Sequence, residues 1–204
     1  MTIKISAMSA ASALGGTEKI ECVQSSATAY LTPAQIETYI AGLGRTFAKD
    51  AGLMYVLAHS SVAVNCPADT SEDTLATVTV PAGAMGANGL VRVTTLWTVT
   101  NNANAKSLYV RFGGTSGTQF LAYNAASTNL MQNQVIIRNR NSQSSQVGFY
   151  QSQPNSFSNP GSGAIQTAAI DTSASADIVI RAQKATAGDT VTLESYLVEL
   201  YYKA

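Results

Sequence analysis

His59 is the single histidine of this 204-residue chain. A hydrolytic triad or a metal centre would need it close to a serine, a cysteine or a carboxylate. It sits in "LAHSSVAV", alternating with Leu57 and Ser61. One imidazole without a second ligand specifies no metal, so His59 reads as a half-buried strand histidine with a local hydrogen bond. "FGGTSGTQF" (residues 112–120) is rich in glycine. A phosphate loop would continue into Lys-Ser/Thr and a helix. Gln119 and Phe120 follow instead, between two β-rich runs, so the segment reads as a hairpin loop. Asp69, Glu72 and Asp73 cluster in "ADTSED", read as a loop. Its hard oxygens suit calcium, but a solvated turn is the simpler reading. Glu194 and Glu199 alternate onto opposite faces of the last strand, whereas a glycosidase pair needs two carboxyls over one cleft. No G-x-S-x-G, H-E-x-x-H or C-x-x-C is present. No catalytic, cofactor-binding or metal-binding residue is assigned, no cofactor is expected, and the expectation is a protein that is not an enzyme.

A different chemistry is legible near residues 136–163. Arg138 and Arg140 share a face in "VIIRNRN". The irregular "QVGFYQSQPNSFSNPGSG" carries Phe149, Tyr150 and Phe157. Aromatic rings beside Asn and Gln suit a sugar-binding or protein-docking surface, so Arg138, Arg140, Tyr150 and Phe157 are the surface-binding candidates. The plainer reading puts Phe149 and Tyr150 in a strand core and pairs Arg138 with a carboxylate. Cys22 and Cys66 are either two free, buried thiols or a disulfide of an oxidising compartment.

The elements behind these residues are built from an unusual composition. Charged residues make up only 12% and hydrophobic residues 46%, against about 25% charged in ordinary globular domains. Ser, Thr, Asn, Gln and Ala fill the difference. Twelve basic and twelve acidic side chains cancel, so the positive field that duplex DNA attracts is missing and a nucleic-acid partner is disfavoured. Surfaces with so few charges resist self-association poorly unless partners cover them, which favours a subunit of an assembly. The apolar runs are far shorter than the roughly 18 residues of a spanning helix, so membrane insertion is not expected. "MTIKISAMSAASALGG" lacks the continuous apolar centre of a signal peptide.

Residues 1–44 read as a small separate unit. "TIKIS" and "KIECVQ" alternate as short strands. "LTPAQIETYIAGLG" opens a helix over about residues 33–43. Thr32 serves as N-cap, Pro33 takes the first helical position, and Gln35 completes a capping box. Ile36, Ile40 and Leu43 follow at helical spacing as the helix's apolar stripe, with Gly42 and Gly44 as the stop. Residues 45–52 read as a connector. From residue 53 to 204 the chain becomes a series of short β-rich runs ended by Gly, Asn, Ser or Asp. In "KSLYVRFGG", Leu108, Val110 and Phe112 share one face, with Tyr109 and Arg111 on the other. Ile178 and Ile180 repeat this against Val179 and Arg181. The expected fold class is mainly β: an antiparallel β-sandwich, a jelly roll of about four strands per sheet. "GLVRVTTLWTVT" has one charge and four threonines (Thr94, Thr95, Thr98 and Thr100). It reads either as a strand whose polar face packs on a neighbouring subunit, or as a core strand with a threonine-rich solvent face.

The run "TLATVTVPAGAMGANGLVRVTTLWTVTNNANAKSLYVRFGGTSGTQFLAY" and the close "IVIRAQKATAGDTVTLESYLVELYYK" resemble a domain of tailed-bacteriophage fibre and virion-appendage proteins. Its pattern has a "PAG…G…G" turn, then "LRIT.LWS.TNN.N.K…VRFGG", then "A.AGDT.TLE.YLVEL". The start, "KIS…ASALGGTEKIECVQSSATAYLTPAQIETYI", is similar to an N-terminal unit of phage fibre proteins. There Met8-Ser9 replace the usual Leu-Pro, and Glu21-Cys22 replace a Val-Pro region. Residues 45–73 and 124–165 match weakly. The resemblance implies a bacteriophage virion structural protein, tail-fibre-like and located in the virion after assembly in the host cytoplasm. It would attach to other virion proteins, of tail or capsid, through its N-terminus and present a β-sandwich for host-surface adhesion. It also implies a homo-oligomer, typically a trimer, and a host surface glycan or protein as partner. The alternative is a capsid decoration protein, a head fibre or cement.

Overall fold

The fold is that of a computed structural model, which describes residues 20–24, 27–31, 54–150 and 164–203. The chain divides into two compact units, Met1–Phe47 and Ala48–Ala204. The predicted helix with Ile36, Ile40 and Leu43, the 45–52 connector and Phe157 lie outside the described residues.

In the first unit, β1 (Ile20–Gln24) pairs antiparallel with β2 (Ala27–Leu31) as a hairpin. The second unit is a two-layer β-sandwich. Its strands are β3 (Met54–Ser60), β4 (Val64–Asn65), β5 (Glu72–Val80), β6 (Leu90–Val99), β7 (Lys106–Phe112), β8 (Thr118–Asn124), β9 (Leu130–Asn139), β10 (Gln146–Tyr150), β11 (Ala164–Ala168), β12 (Ala176–Lys184) and β13 (Val191–Tyr201). The larger sheet runs β11-β10-β9-β6-β13-β3, with β4 also on β13, which makes seven strands; the smaller runs β5-β12-β7-β8. Every pairing is antiparallel. Each expected β-rich run contains a strand, but the division is seven and four rather than about four and four.

The core lies between the two sheets and follows from alternation. Along β6, residues 91, 93, 95, 97 and 99 are buried and the intervening ones half-buried. Val91, Val93 and Trp97 face Leu108, Val110 and Phe112 of β7 and Ile178 and Ile180 of β12 across the sandwich, all fully buried. This is the inward set expected for β7 and β12. A fully buried aromatic or branched side chain contributes about 1.5–3 kcal/mol. Trp97 is the largest, and its indole Nε1–H donates to Thr95 Oγ1 at 2.8 Å. Thr95 therefore belongs to the core face and not to the outward threonine row. The indole needs a buried acceptor, and the residue two positions back on the same face supplies it.

Polar networks close both ends of the sandwich. At one end, Asn139 Nδ2 donates to Gly86 O (2.6 Å) and Thr172 Oγ1 (2.9 Å), and Gln146 Nε2 donates to Asn139 Oδ1 (2.9 Å). This ties the "PAGAMGANG" turn to the loops after β9 and β11. Gly86 takes a positive φ of 66°, and a Cβ there would lie 2.4 Å from Lys203 O, so the turn packs on the segment just past β13 only because the position is glycine. At the other end, Lys106 and Lys184 are cross-strand partners pointing inward, at 0% and 2% exposure. Lysines are almost never buried unless paired. Here Lys106 Nζ donates to Asn102 Oδ1 at 2.6 Å, while Asn102 Nδ2 donates to Asp189 Oδ1 at 2.7 Å and Asn104 Nδ2 to Asp189 Oδ2 at 3.0 Å.

Candidate interaction face

The two outward faces of the sandwich differ in chemistry. On the smaller sheet the outward side is strongly polar. Glu72 is gripped by Arg111 (Nη2 to Oε1, 3.1 Å) and Arg181 (Nη1 to Oε1, 2.8 Å), and the Arg111 guanidinium lies 5.5 Å from the Tyr109 ring. Gln183, Thr79 and Asp177 continue this surface, with Thr79 Oγ1 donating to Asp177 at 2.7 Å. Glu72 and Asp73, read from sequence as loop residues, are the first two residues of β5.

The larger sheet's outward side is different. Its middle is the half-buried row of β6: Leu90, Arg92, Thr94, Leu96 and Thr98. Register fixes its neighbours. On β9, Ile136, Gln134, Gln132 and Leu130 stand opposite Arg92, Thr94, Leu96 and Thr98. On β13, Tyr201, Glu199, Leu197 and Ser195 stand opposite Leu90, Arg92, Thr94 and Leu96. Toward the edges, Met54, Val56 and Phe149 are exposed. Near one end of this row lies an ion pair. Arg92 Nε and Nη2 reach Glu199 Oε2 and Oε1 at 2.5 and 2.8 Å, and the guanidinium lies 5.4 Å from the Tyr201 ring. The Arg92 hydrogen bond, with its charge, holds the Glu199 carboxyl below its ordinary range against the opposing effect of burial.

Glu194 also belongs to this face, hydrogen-bonded by Thr98 Oγ1. Sequence alternation separates Glu194 from Glu199 onto opposite faces. A β-bulge between Leu193 and Ser195 adds one residue on β13 and flips the parity, so both carboxylates point outward. They stand apart on the strand, and Glu199 is occupied by Arg92, so they do not form a cleft pair.

The remaining candidates fall as follows. Arg138 is exposed on the outward face of β9, opposite Leu90 and Val147. Arg140 lies one residue past β9, in the loop closed by its N–H to Ser145 O at 2.9 Å. The structure gives Tyr150 only as the last backbone position of β10. Of the four surface-binding candidates, Arg138 and Arg140 are placed with their side chains, both exposed, while Phe157 lies outside the described residues. His59 is exposed on the edge strand β3, opposite Leu197, rather than half-buried. Asp69 Oδ1 accepts from the Ser71 N–H at 2.7 Å, a local turn. Among the described residues no group of three or more His, Cys, Asp and Glu side chains comes together. Cys66 is a free, buried thiol whose Sγ–H faces Asp73 Oδ2 at 3.5 Å. Burial, then the hydrogen bond and charge of Asp73, push its pKa up to about 11. No helix among the described residues is long and apolar enough to cross a membrane.

Sequence reasoning missed the buried Lys106–Asn102–Asp189 network. Its signal was the polar letters inside two quoted motifs, "TNNANAK" and "AGDT", which strand pairing brings together although Asn104 and Asp189 lie 85 positions apart along the chain. The Asn102 hydrogen bond, helped by Asn104 and by the charges of Lys106 and Lys184, lowers the Asp189 pKa.

No protein-family model matches the chain, and no curated protein matches it. Among solved structures it is similar to the CBM2 module of the evolved Dit of Lactobacillus casei BL23 phage J-1, at 12% identity over 63% of this chain and 70% of that one, with a TM-score of 0.34. A structure of sacbrood virus of honeybee matches at 9% identity over 74% and 72% of the two chains, TM-score 0.29. The infectious bursal disease virus VP2 subviral particle matches at 15% identity over 74% and 40%, TM-score 0.26. These likenesses are too distant to carry fold or function.

Proposed function

We propose that this chain is a structural protein of a tailed-bacteriophage virion, tail-fibre-like, which attaches through its N-terminal unit and presents its jelly-roll-like β-sandwich for host-surface adhesion. It works as a homo-oligomer, trimeric as the sequence resemblance implies. The observation that carries the reading is the unequal chemistry of the two outward faces. One is polar and ion-paired and suits water. The other joins Leu90, Leu96, Ile136 and Leu197 to threonines and glutamines, with the Arg92–Glu199 ion pair, Glu194 and Arg138 toward its ends, and suits burial in an assembly. The buried networks at both ends add rigidity without a cofactor, a useful property in a particle exposed outside the cell. The fibre-like resemblance and the N-terminal unit's attachment motif favour an appendage on the tail.

The test is location. An antibody against the sandwich, visualised by gold labelling on intact particles, is expected on the tail. Labelling spread over the shell would replace the adhesin reading with the decoration reading, and no labelling of purified particles would refute a virion role altogether. A deletion of residues 1–44 is expected to leave a folded sandwich that no longer enters particles.

A further inference from the structure

We propose that Lys106 and Asn102 condense into an intramolecular isopeptide bond, with Asp189 as the proton carrier. Lys106 opens β7 with no exposed surface, and among the described residues no carboxylate forms an ion pair with it. An ammonium held out of water without a carboxylate partner is costly. Lys106 Nζ donates instead to two oxygens of one residue, Asn102 Oδ1 at 2.6 Å and Asn102 O at 3.2 Å. A carbonyl bond is about 1.23 Å long, so Asn102 Cγ lies no more than about 3.8 Å from Nζ. Reacting atoms in a near-attack pair stand about 3–3.5 Å apart. A small movement of Nζ out of the amide plane therefore puts the amine over the carbonyl carbon.

The other side of the same amide meets a carboxylate. Asn102 Nδ2 donates to Asp189 Oδ1 at 2.7 Å, and Asn104 Nδ2 holds Asp189 Oδ2 at 3.0 Å. The Asn102 bond above all, with that of Asn104, lowers the Asp189 pKa, so Asp189 rests ionised and able to accept a proton. The Lys106 ammonium passes one proton to Oδ1 while Nδ2 passes one to Asp189, which leaves the amine neutral and nucleophilic. The Nζ lone pair attacks Cγ, and the Cγ–Nζ bond forms. The Cγ–Nδ2 bond breaks. Nδ2 leaves as ammonia, taking back the Asp189 proton and one from Nζ, and Oδ1 releases its proton as the carbonyl re-forms. One lysine ammonium and one carboxamide thus give one amide and one ammonium ion. Asp189 is regenerated, and no oxidant or co-reactant is needed. Asn102 is only half-buried, so the ammonia has a path to water. The chemistry does not depend on the virion reading.

The test is the intact mass of the full chain, kept folded at neutral pH for several days, followed by tryptic mapping. The expected result is the loss of one ammonia per chain, carried by a peptide 93–111 that runs uncut through Lys106 because its amine is acylated. Lys106→Met is expected to keep the mass its sequence gives, and Asp189→Asn to convert about a hundredfold more slowly. Circular dichroism checks that both variants fold; if either does not, the map of the unaltered chain decides alone. A chain at full mass that is cut after Lys106 overturns the inference. An ammonia loss that persists in folded Lys106→Met, or that maps to another residue, also overturns it. A folded Asp189→Asn chain that converts as fast as the unaltered one overturns the role given to Asp189.

Discussion

The Trp97–Thr95 contact gives a prediction whose size follows from the structure. Both residues are buried, at 0% and 1% exposure, and the indole N–H donates to Thr95 Oγ1 at 2.8 Å. Thr95→Val keeps the side-chain shape and removes the acceptor. A buried donor left without a partner costs about 1–3 kcal/mol. The added methyl returns about 0.8 kcal/mol through burial, so the net loss is about 0.2–2 kcal/mol. At about 2–4 °C per kcal/mol for a domain of this size, Tm falls by up to roughly 8 °C. The same change in a Trp97→Phe background leaves no donor to strand, and there only the methyl's gain of about 0.8 kcal/mol remains. Chemical denaturation followed by circular dichroism on the four proteins of this cycle measures the difference, expected to be about 1–3 kcal/mol of coupling. Equal costs of Thr95→Val in the two backgrounds would refute the claim that Thr95 is on the core face to serve the indole.

Three further outcomes follow from other sites. Gly148→Ala should cost about 1–3 kcal/mol in denaturant melts, because the new Cβ would stand 2.7 Å from the Phe120 ring and 2.8 Å from Ile136 O. Asp189→Asn should lower Tm at pH 7 and flatten its decline on acidification. A carboxyl held below its ordinary pKa contributes stability that is present above that ordinary value and lost as pH falls through the folded one; a wild-type Tm that falls no more steeply than that of the variant between pH 5 and roughly 2 would contradict this. Cys66, pushed up to about 11, should resist alkylation at pH 8 in the folded protein and react readily in denaturant, read by intact mass. The sign for stability is the reverse of that for Asp189. The unfolded thiol ionises first as pH rises from about 9, so stability is full below that value and declines through about 11.

Much of the sandwich was legible from local pattern. Period-two alternation in "KSLYVRF" and "DIVIR" assigned Leu108, Val110, Phe112, Ile178 and Ile180 to the interior, where they lie, because a strand's side chains must alternate whatever surrounds it. The loop of "FGGTSGTQF" was legible for the same local reason: Gly113 and Gly114 take φ of 93° and 89°, which glycine alone adopts without strain. The faces of Thr95 and Glu194 were not legible. Thr95 is inward because an indole two residues away needs its oxygen, and Glu194 is outward because one extra residue in β13 reverses the parity. Neither effect leaves a mark in the residue itself.

The sequence by itself determined the strands and the turns that need glycine, since each of these depends on residues adjacent along the chain. Only the tertiary structure decided which strands pair and that Lys106, Lys184, Asn102 and Asp189 meet at one end of the core. Those are products of antiparallel pairing between strands distant in sequence, where register, and not residue type, chooses the neighbour.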